Sequence, residues 1–190
     1  MKKIIILIVF AGLIAGLYYF VFSKDEWKSE SPLSDVFVSD EEEYIKSIND
    51  KDVQKYVFNS LPEKVLKPEF GGKVFCSSKM FGYETDVKTN IVSVYVYAYC
   101  EEYYIKNDKP VLGSGISSPV KLTFKAQKKE LVFDSLTVPK DGEEYISSIR
   151  SMYPQKYQDE AVKNVDVNTL IPLPKTQAEN YYKGKLEVYF

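Results

Sequence analysis

Ile4 to Phe22 is an unbroken run of 19 residues without a charge, preceded directly by Met1-Lys2-Lys3. As a helix rising about 1.5 Å per residue, it would reach about the thickness of a bilayer's hydrocarbon core. A segment this long and apolar has to leave water, so it limits the rest of the chain more than any other feature. The competing reading is a cleavable signal peptide, whose apolar region is about 7–15 residues and ends at small side chains. Here the run ends Leu17-Tyr18-Tyr19-Phe20-Val21-Phe22-Ser23, bulky where a signal peptidase needs small residues. Residues 1–23 are therefore expected to be an uncleaved anchor. Tyr18, Tyr19 and Trp27 suit an interfacial aromatic belt, and no Cys follows to carry a lipid. Lys2 and Lys3 predict a cytoplasmic N-terminus and an outward-facing domain: a single-pass protein of the cell membrane.

Residues 24–40, rich in Ser, Asp, Glu and Lys with Pro32, read as a linker. An extracytoplasmic domain is expected over 41–163, with a C-terminal extension at 164–190 packed on it. Of the 190 residues, 45% are hydrophobic and 15% aromatic, which favours a packed fold over disorder. Without Lys2 and Lys3 the chain has 23 basic and 27 acidic residues, a net charge of −4. Interspersed charges of that balance leave no electrostatic footprint for nucleic acid. Histidine is absent, which excludes Ser-His-Asp and Cys-His triads and His-ligated zinc or haem. Two cysteines are too few for an all-thiolate metal site. Carboxylate catalysis and oxygen-ligated Ca²⁺ survive this filter.

Ser39-Asp40-Glu41-Glu42 fits a capping box, followed at helical spacing by Tyr44, Ile45, Ile48, Val53, Tyr56 and Val57. Asn49-Asp50 divides this stretch into two helices, and Pro62 and Pro68 are expected to close it. Strands are predicted over 73–83, 89–105, 120–126 and 130–138, joined by short polar links that imply antiparallel hairpins. Asp141-Gly142-Glu143-Glu144 offers a second helix cap before Tyr145, Ile146, Ile149 and Met152. Pro154 ends that helix, and a short helix follows around 155–162. Pro172-Leu173-Pro174 reads as extended, and 186–190 as a terminal edge strand.

The second predicted strand is the most informative. Its even positions are Val92, Val94, Val96, Ala98 and Cys100; its odd positions include Tyr95, Tyr97, Tyr99 and Glu101. Strands alternate faces with period 2, so one side is aliphatic and the other tyrosine-lined. The aliphatic side should pack on helices. With a turn at 84–90, Cys76 and Cys100 fall nearly opposite one another, within disulfide range, and the outward compartment is oxidising. Closing a loop of about 25 residues would contribute roughly 3 kcal/mol. Two buried thiols packing as small hydrophobes are the alternative.

Tyr95, Tyr97, Tyr99 and Glu101 are the candidate ligand-binding residues, because aromatic faces stack on sugars, peptides or bases. The competing reading of the same face is a second core layer, covered by the C-terminal helices or tail. Gly113-Ser114-Gly115-Ile116-Ser117-Ser118-Pro119 lacks the Lys-Ser/Thr ending of a phosphate loop and reads as a strand connection or bulge. Glu101 and Glu102 are adjacent, so in a strand they point to opposite faces and cannot act as one carboxylate pair. Asp134, Asp141 and Glu143 form no calcium-loop motif, and neither a metal nor a cofactor is expected.

Four stretches resemble an extracytoplasmic domain of bacterial anchored proteins and lipoproteins, also found as a C-terminal extension of some membrane metalloprotease regulators. They are Gly-Gly-Lys-Val-Phe-Cys at 71–76, Val-Tyr-Ala-Tyr-Cys-Glu-Glu-Tyr-Tyr at 96–104, Gly-Ser-Gly-Ile-Ser-Ser-Pro-Val at 113–120 and Pro-Lys-Asp-Gly-Glu-Glu-Tyr at 139–145. The resemblance implies an envelope location and carries no activity or functional residue; the protease motif is absent.

These readings together predict an α+β fold: an N-terminal transmembrane helix, then a curved four-stranded antiparallel sheet packed on helices, with the logic of cystatin-like and NTF2-like folds. The expected function is that of a non-catalytic binding or accessory module of the cell envelope. Its partners would be the membrane, through the single span, and an envelope protein or a second copy. Two alternatives stay open: a carboxylate-based enzyme acting on envelope glycans through Glu101, and a structural subunit of an envelope or secretion complex.

Overall fold

The computed structural model describes residues 40–163 and 165–186, with side chains as far as Lys183. The expected anchor, the linker up to residue 39 with its capping Ser39, and residues 187–190 of the expected edge strand lie outside the described residues. Among the described residues no helix is long and apolar enough to cross a membrane.

Two helices open the domain, α1 (Asp40–Ser47) and α2 (Asp50–Lys64). Acidic residues fill the first turn of α1, where they complement the helix dipole. The break between the helices falls where Asn49 caps α2, its side-chain oxygen accepting from the N–H groups of Lys51 and Asp52 at 3.0 and 3.3 Å. Val53, Val57 and Leu61 form the buried stripe of α2. Pro62 does not close this helix, contrary to expectation. The helix continues to Lys64, and the N–H of Val65 reaches the carbonyl of Leu61 at 3.0 Å. Proline cannot donate to the carbonyl four residues back, which belongs to the exposed Phe58, where water can serve instead.

The sheet is an antiparallel meander, β1 (Lys73–Asp86), β2 (Ile91–Lys106), β3 (Lys109–Gln127) and β4 (Glu130–Thr137), in spatial order β1-β2-β3-β4. The expected α+β class, with four antiparallel strands packed by helices, is the observed one. Strand β3 begins about ten residues earlier than predicted, because Pro110, Gly113, Gly115 and Pro119 read as strand breakers. Their placement explains the difference. β4 pairs with β3 only from Lys121 onward, so Pro119 lies where β3 has no second neighbour. Gly113 and Ser114 together oppose Glu102 in a bulge.

After the sheet come a 3₁₀ turn (Gly142–Glu144), α3 (Tyr145–Met152) and α4 (Gln155–Val162). Asp141 makes no side-chain cap, and Ile146 faces outward rather than sharing the buried face of Ile149. The largest correction is at the C-terminus. Pro172-Leu173-Pro174 is not extended but opens α5 (Pro172–Leu186), and Leu186 belongs to that helix. First-turn N–H groups have no intrahelical acceptor, so proline costs a helix little there.

The parity of β2 divides the core. Val92, Val94, Val96, Ala98 and Cys100 pack with Ile45, Val53, Val57 and Leu61 of α1 and α2. The opposite face meets α3, α4 and α5. Cys76 and Cys100 pair directly across β1 and β2 and form the expected disulfide, with Cα atoms 4.1 Å apart.

The β3–β4 connection is a two-residue turn in which Lys128 and Lys129 both have positive φ, 50° and 62°. This turn type favours Asn-Gly, and a Cβ in the left-handed region costs about 1 kcal/mol. Lys129→Gly is expected to stabilise the domain by about 0.5–1 kcal/mol, and a urea denaturation midpoint that fails to rise would contradict the assignment.

Candidate functional site

The tyrosine face is covered by helices at its two ends. Tyr95 is buried, its ring centroid 5.1 Å from that of Tyr153 and 5.4 Å from that of Tyr157. Tyr153 passes through this layer to donate its hydroxyl to the carbonyls of Val96 and Val120, at 3.0 and 2.8 Å. Gly82 permits the approach of α4: a Cβ at that position would lie 2.2 Å from the Tyr157 hydroxyl. Tyr97 is half-buried, with its hydroxyl 3.1 Å from that of Ser117.

Glu101 is buried at the other end of this face. Its carboxylate accepts from the hydroxyl of Tyr99 on one oxygen and from that of Tyr103, at 2.7 Å, on the other. Burial, reinforced by the bond to this carboxylate, pushes the Tyr99 hydroxyl up to about 12, and Tyr103 rises for the same reasons. Helix α5 covers the cluster: Tyr182 donates to the Tyr103 carbonyl at 2.7 Å and packs edge-on against Phe75. Of the four candidates from sequence, Tyr95 and Glu101 are held inside the aromatic layer, while Tyr97 and Tyr99 keep partial exposure. The grooves described below are not lined by any of the four.

Glu102 points to the opposite face, as its parity requires, and it is fully buried there. The segment after α2 folds back over its carboxylate. The N–H groups of Glu69, Phe70 and Gly72 donate at 2.8, 2.9 and 2.8 Å, and the Ser114 hydroxyl at 2.8 Å. Gly72 is needed for this closure, because a Cβ there would sit 2.3 Å from the Tyr103 carbonyl oxygen. Burial opposes the charge, but the N–H groups of Gly72 and Glu69, the Ser114 hydroxyl and the N–H of Phe70 outweigh it and hold the carboxyl at about 2. Sequence reading separated Glu101 from Glu102 but gave Glu102 no task. The available signal was its phase, since an acid in register with the valine ladder needs donors inside the fold.

A long groove follows the outer edge of β1, between α2 and α5. One part, of about 1050 Å³, is lined by Phe58, Pro62, Lys67, Lys73, Phe75 and Tyr181 among others. Phe58 and Gln177 also line an adjoining cavity of about 560 Å³, together with Lys51, Lys55, Cys76, Ser78 and Leu173. Phe58 is 57% exposed and Leu173 49%. Sequence reading missed this groove, because Leu173 was expected in an extended tail. Phe58 stands one residue off the Val53-Val57-Leu61 stripe, which was the visible sign of an apolar residue facing outward. Among the described residues no group of three or more acidic or cysteine side chains is arranged to hold a metal.

Neither the models of known protein families nor the curated proteins include a match to this chain.

Because Glu102 has a lowered pKa in the fold, its stabilisation is complete above its ordinary value of 4.5 and is lost as pH falls from there towards about 2. Glu102→Gln should cost about 2 kcal/mol at neutral pH, since one acceptor becomes a donor facing N–H groups. It should also flatten the loss of stability below pH 4.5. Denaturant titrations of both proteins at pH 7 and pH 3 check this, and an undiminished acid dependence in the variant would contradict the role of the cage.

Proposed function

We propose that this protein is a non-catalytic binding or accessory module of the cell envelope, held to the membrane by residues 1–23 with its domain outside. The observation that carries this reading is the burial of Glu101 within the aromatic layer. Glu101, the acid on which a glycan-cleaving mechanism would have to rely, has both oxygens occupied by tyrosine hydroxyls beneath α5. A general acid or nucleophile needs access to substrate, and a retaining or inverting pair needs a second carboxylate about 5–9.5 Å away across an open cleft. A groove elsewhere on the domain suits recognition better than chemistry. The disulfide is compatible with an oxidising, extracytoplasmic compartment. The sequence resemblance to anchored extracytoplasmic domains supports the same location. The meander with helices on its faces also follows the cystatin-like and NTF2-like logic, an analogy of architecture that brings no activity with it.

The full chain fused at its C-terminus to alkaline phosphatase, which folds only where disulfides form, tests the arrangement. Active phosphatase in the membrane fraction is expected, with Cys76 and Cys100 alkylated only after reduction. An inactive phosphatase alongside a fluorescent green-fluorescent-protein fusion would overturn the topology. Glycan hydrolysis by the purified chain that disappears in Glu101→Gln would overturn the non-catalytic reading.

A further inference from the structure

We propose that the free edge of β1 is a docking site for an extended acidic segment of a partner protein, which joins the sheet as a fifth strand between α2 and α5. This deepens the binding-module reading and rests on it.

The first argument is the backbone. Among the described residues β1 is an outer strand of the sheet, with β2 on one side only. Directly opposed residues in an antiparallel pair alternate between those that exchange hydrogen bonds and those that do not, and the latter turn their N–H and C=O groups away from the partner strand. Cys76 belongs to the second kind. Its Cα lies 4.1 Å from that of Cys100, and its carbonyl accepts from the Gln177 side chain on α5 at 3.1 Å. Register is unbroken from Lys73 to Met80, so Val74 and Ser78 share this outward parity. Their outward groups have no hydrogen-bond partner among the described residues. Gln177 thus supplies at one carbonyl the donor that a neighbouring strand would supply along the whole edge. Exposed edges of this kind are ready templates for pairing.

The second argument is charge. Lys51, Lys55, Lys67 and Lys73 line the groove against one acid, Glu63. Glu63 lies 3.8 Å from Lys64, whereas Lys51, Lys55 and Lys67 form no ion pair among the described residues. Lys73 lies over the Tyr181 ring, 4.1 Å from its centroid. A basic rim above unpaired strand edges selects an acidic strand over a neutral or basic one.

The third argument is the pair of walls. Side chains of an added strand would alternate between α2 and α5. Those turned to α2 meet Lys51 and Lys55 beside Phe58, and those turned to α5 meet Leu173. A segment alternating acidic and apolar residues fits both. From Val74 to Met80 the edge is about 20 Å long, enough for six or seven residues.

The test uses the full-length chain in detergent micelles and fluorescein-labelled eight-residue peptides read by fluorescence anisotropy. The probes are alternating Asp-Val, alternating Lys-Val, and the Asp-Val peptide N-methylated along one edge. The Asp-Val peptide is expected to bind at least tenfold more tightly than either of the others, and several-fold more weakly at 300 mM than at 50 mM salt. Lys55→Glu with Lys67→Glu, both on the surface, should reverse the preference between the acidic and basic peptides. Ser78→Pro removes an outward N–H and no bond to β2, so it should abolish binding while leaving the disulfide and the circular dichroism unchanged. Equal binding of acidic and basic peptides, or indifference to N-methylation, would overturn the proposal. So would a dimer that Ser78→Pro converts to monomer, since a second copy would then own the edge. None of these outcomes alters the phosphatase result, so failure of the docking site is distinguishable from failure of the module reading.

Discussion

Strand β2 has to be buried on both faces, and the rest of the domain follows from how each face is covered. Its even side is purely aliphatic from Val92 to Ala98 and needs only apolar surface, which the stripe of Ile45, Val53, Val57 and Leu61 provides. Its odd side carries tyrosines, whose rings want burial and whose hydroxyls want partners. That side is closed by further tyrosines from α3, α4 and α5, and the hydroxyls find carbonyls and carboxylates within the layer. Antiparallel sheets often leave one face to water; this one has helices on both.

The two adjacent acids show how the same strand uses parity for different purposes. Glu101, on the aromatic side, accepts tyrosine hydroxyls and joins α5 to the sheet through Tyr103 and Tyr182. Glu102, on the aliphatic side, gathers the N–H groups of an irregular segment and fixes the path from α2 into β1. A buried carboxylate with this many donors closes a loop that has no regular structure of its own. The bulge at Gly113-Ser114 brings the Ser114 hydroxyl to the same carboxylate, so the glycine-containing stretch of β3 serves to shape this cage.

With the faces covered, what stays open is an edge. β1 is flanked by α2 and α5 without being paired by either, and among the described residues a single glutamine bonds to its backbone from the side. The lysines on this rim, with one acid among them, set the groove apart from the cavity near α4, where Asp159, Glu160 and Asp166 stand among the lysines. Near α4, for comparison, Lys79 is already matched by Glu160 at 2.6 Å. Recognition through an open strand edge leaves the core undisturbed, which suits a domain whose interior holds its polar groups in bonds within the fold.

Much of this was legible before any coordinates. The valine and tyrosine alternation of β2, the opposition of Cys76 to Cys100, the division at Asn49 and the helix at 155–162 each rest on local spacing, and spacing is a property of sequence. Tertiary structure decided the rest. Whether the tyrosine face would be a platform or a core depended on α5, and the prolines that make 172–174 look extended are harmless in the first turn of a helix. The length of β3 depended on where β4 stops pairing, which turns Pro119 from a breaker into an edge residue. The groove is formed by residues more than a hundred positions apart, Phe58 and Gln177, each unremarkable alone. Periodicity along the chain reports which side of an element seeks burial; it carries no record of which distant element arrives to cover it.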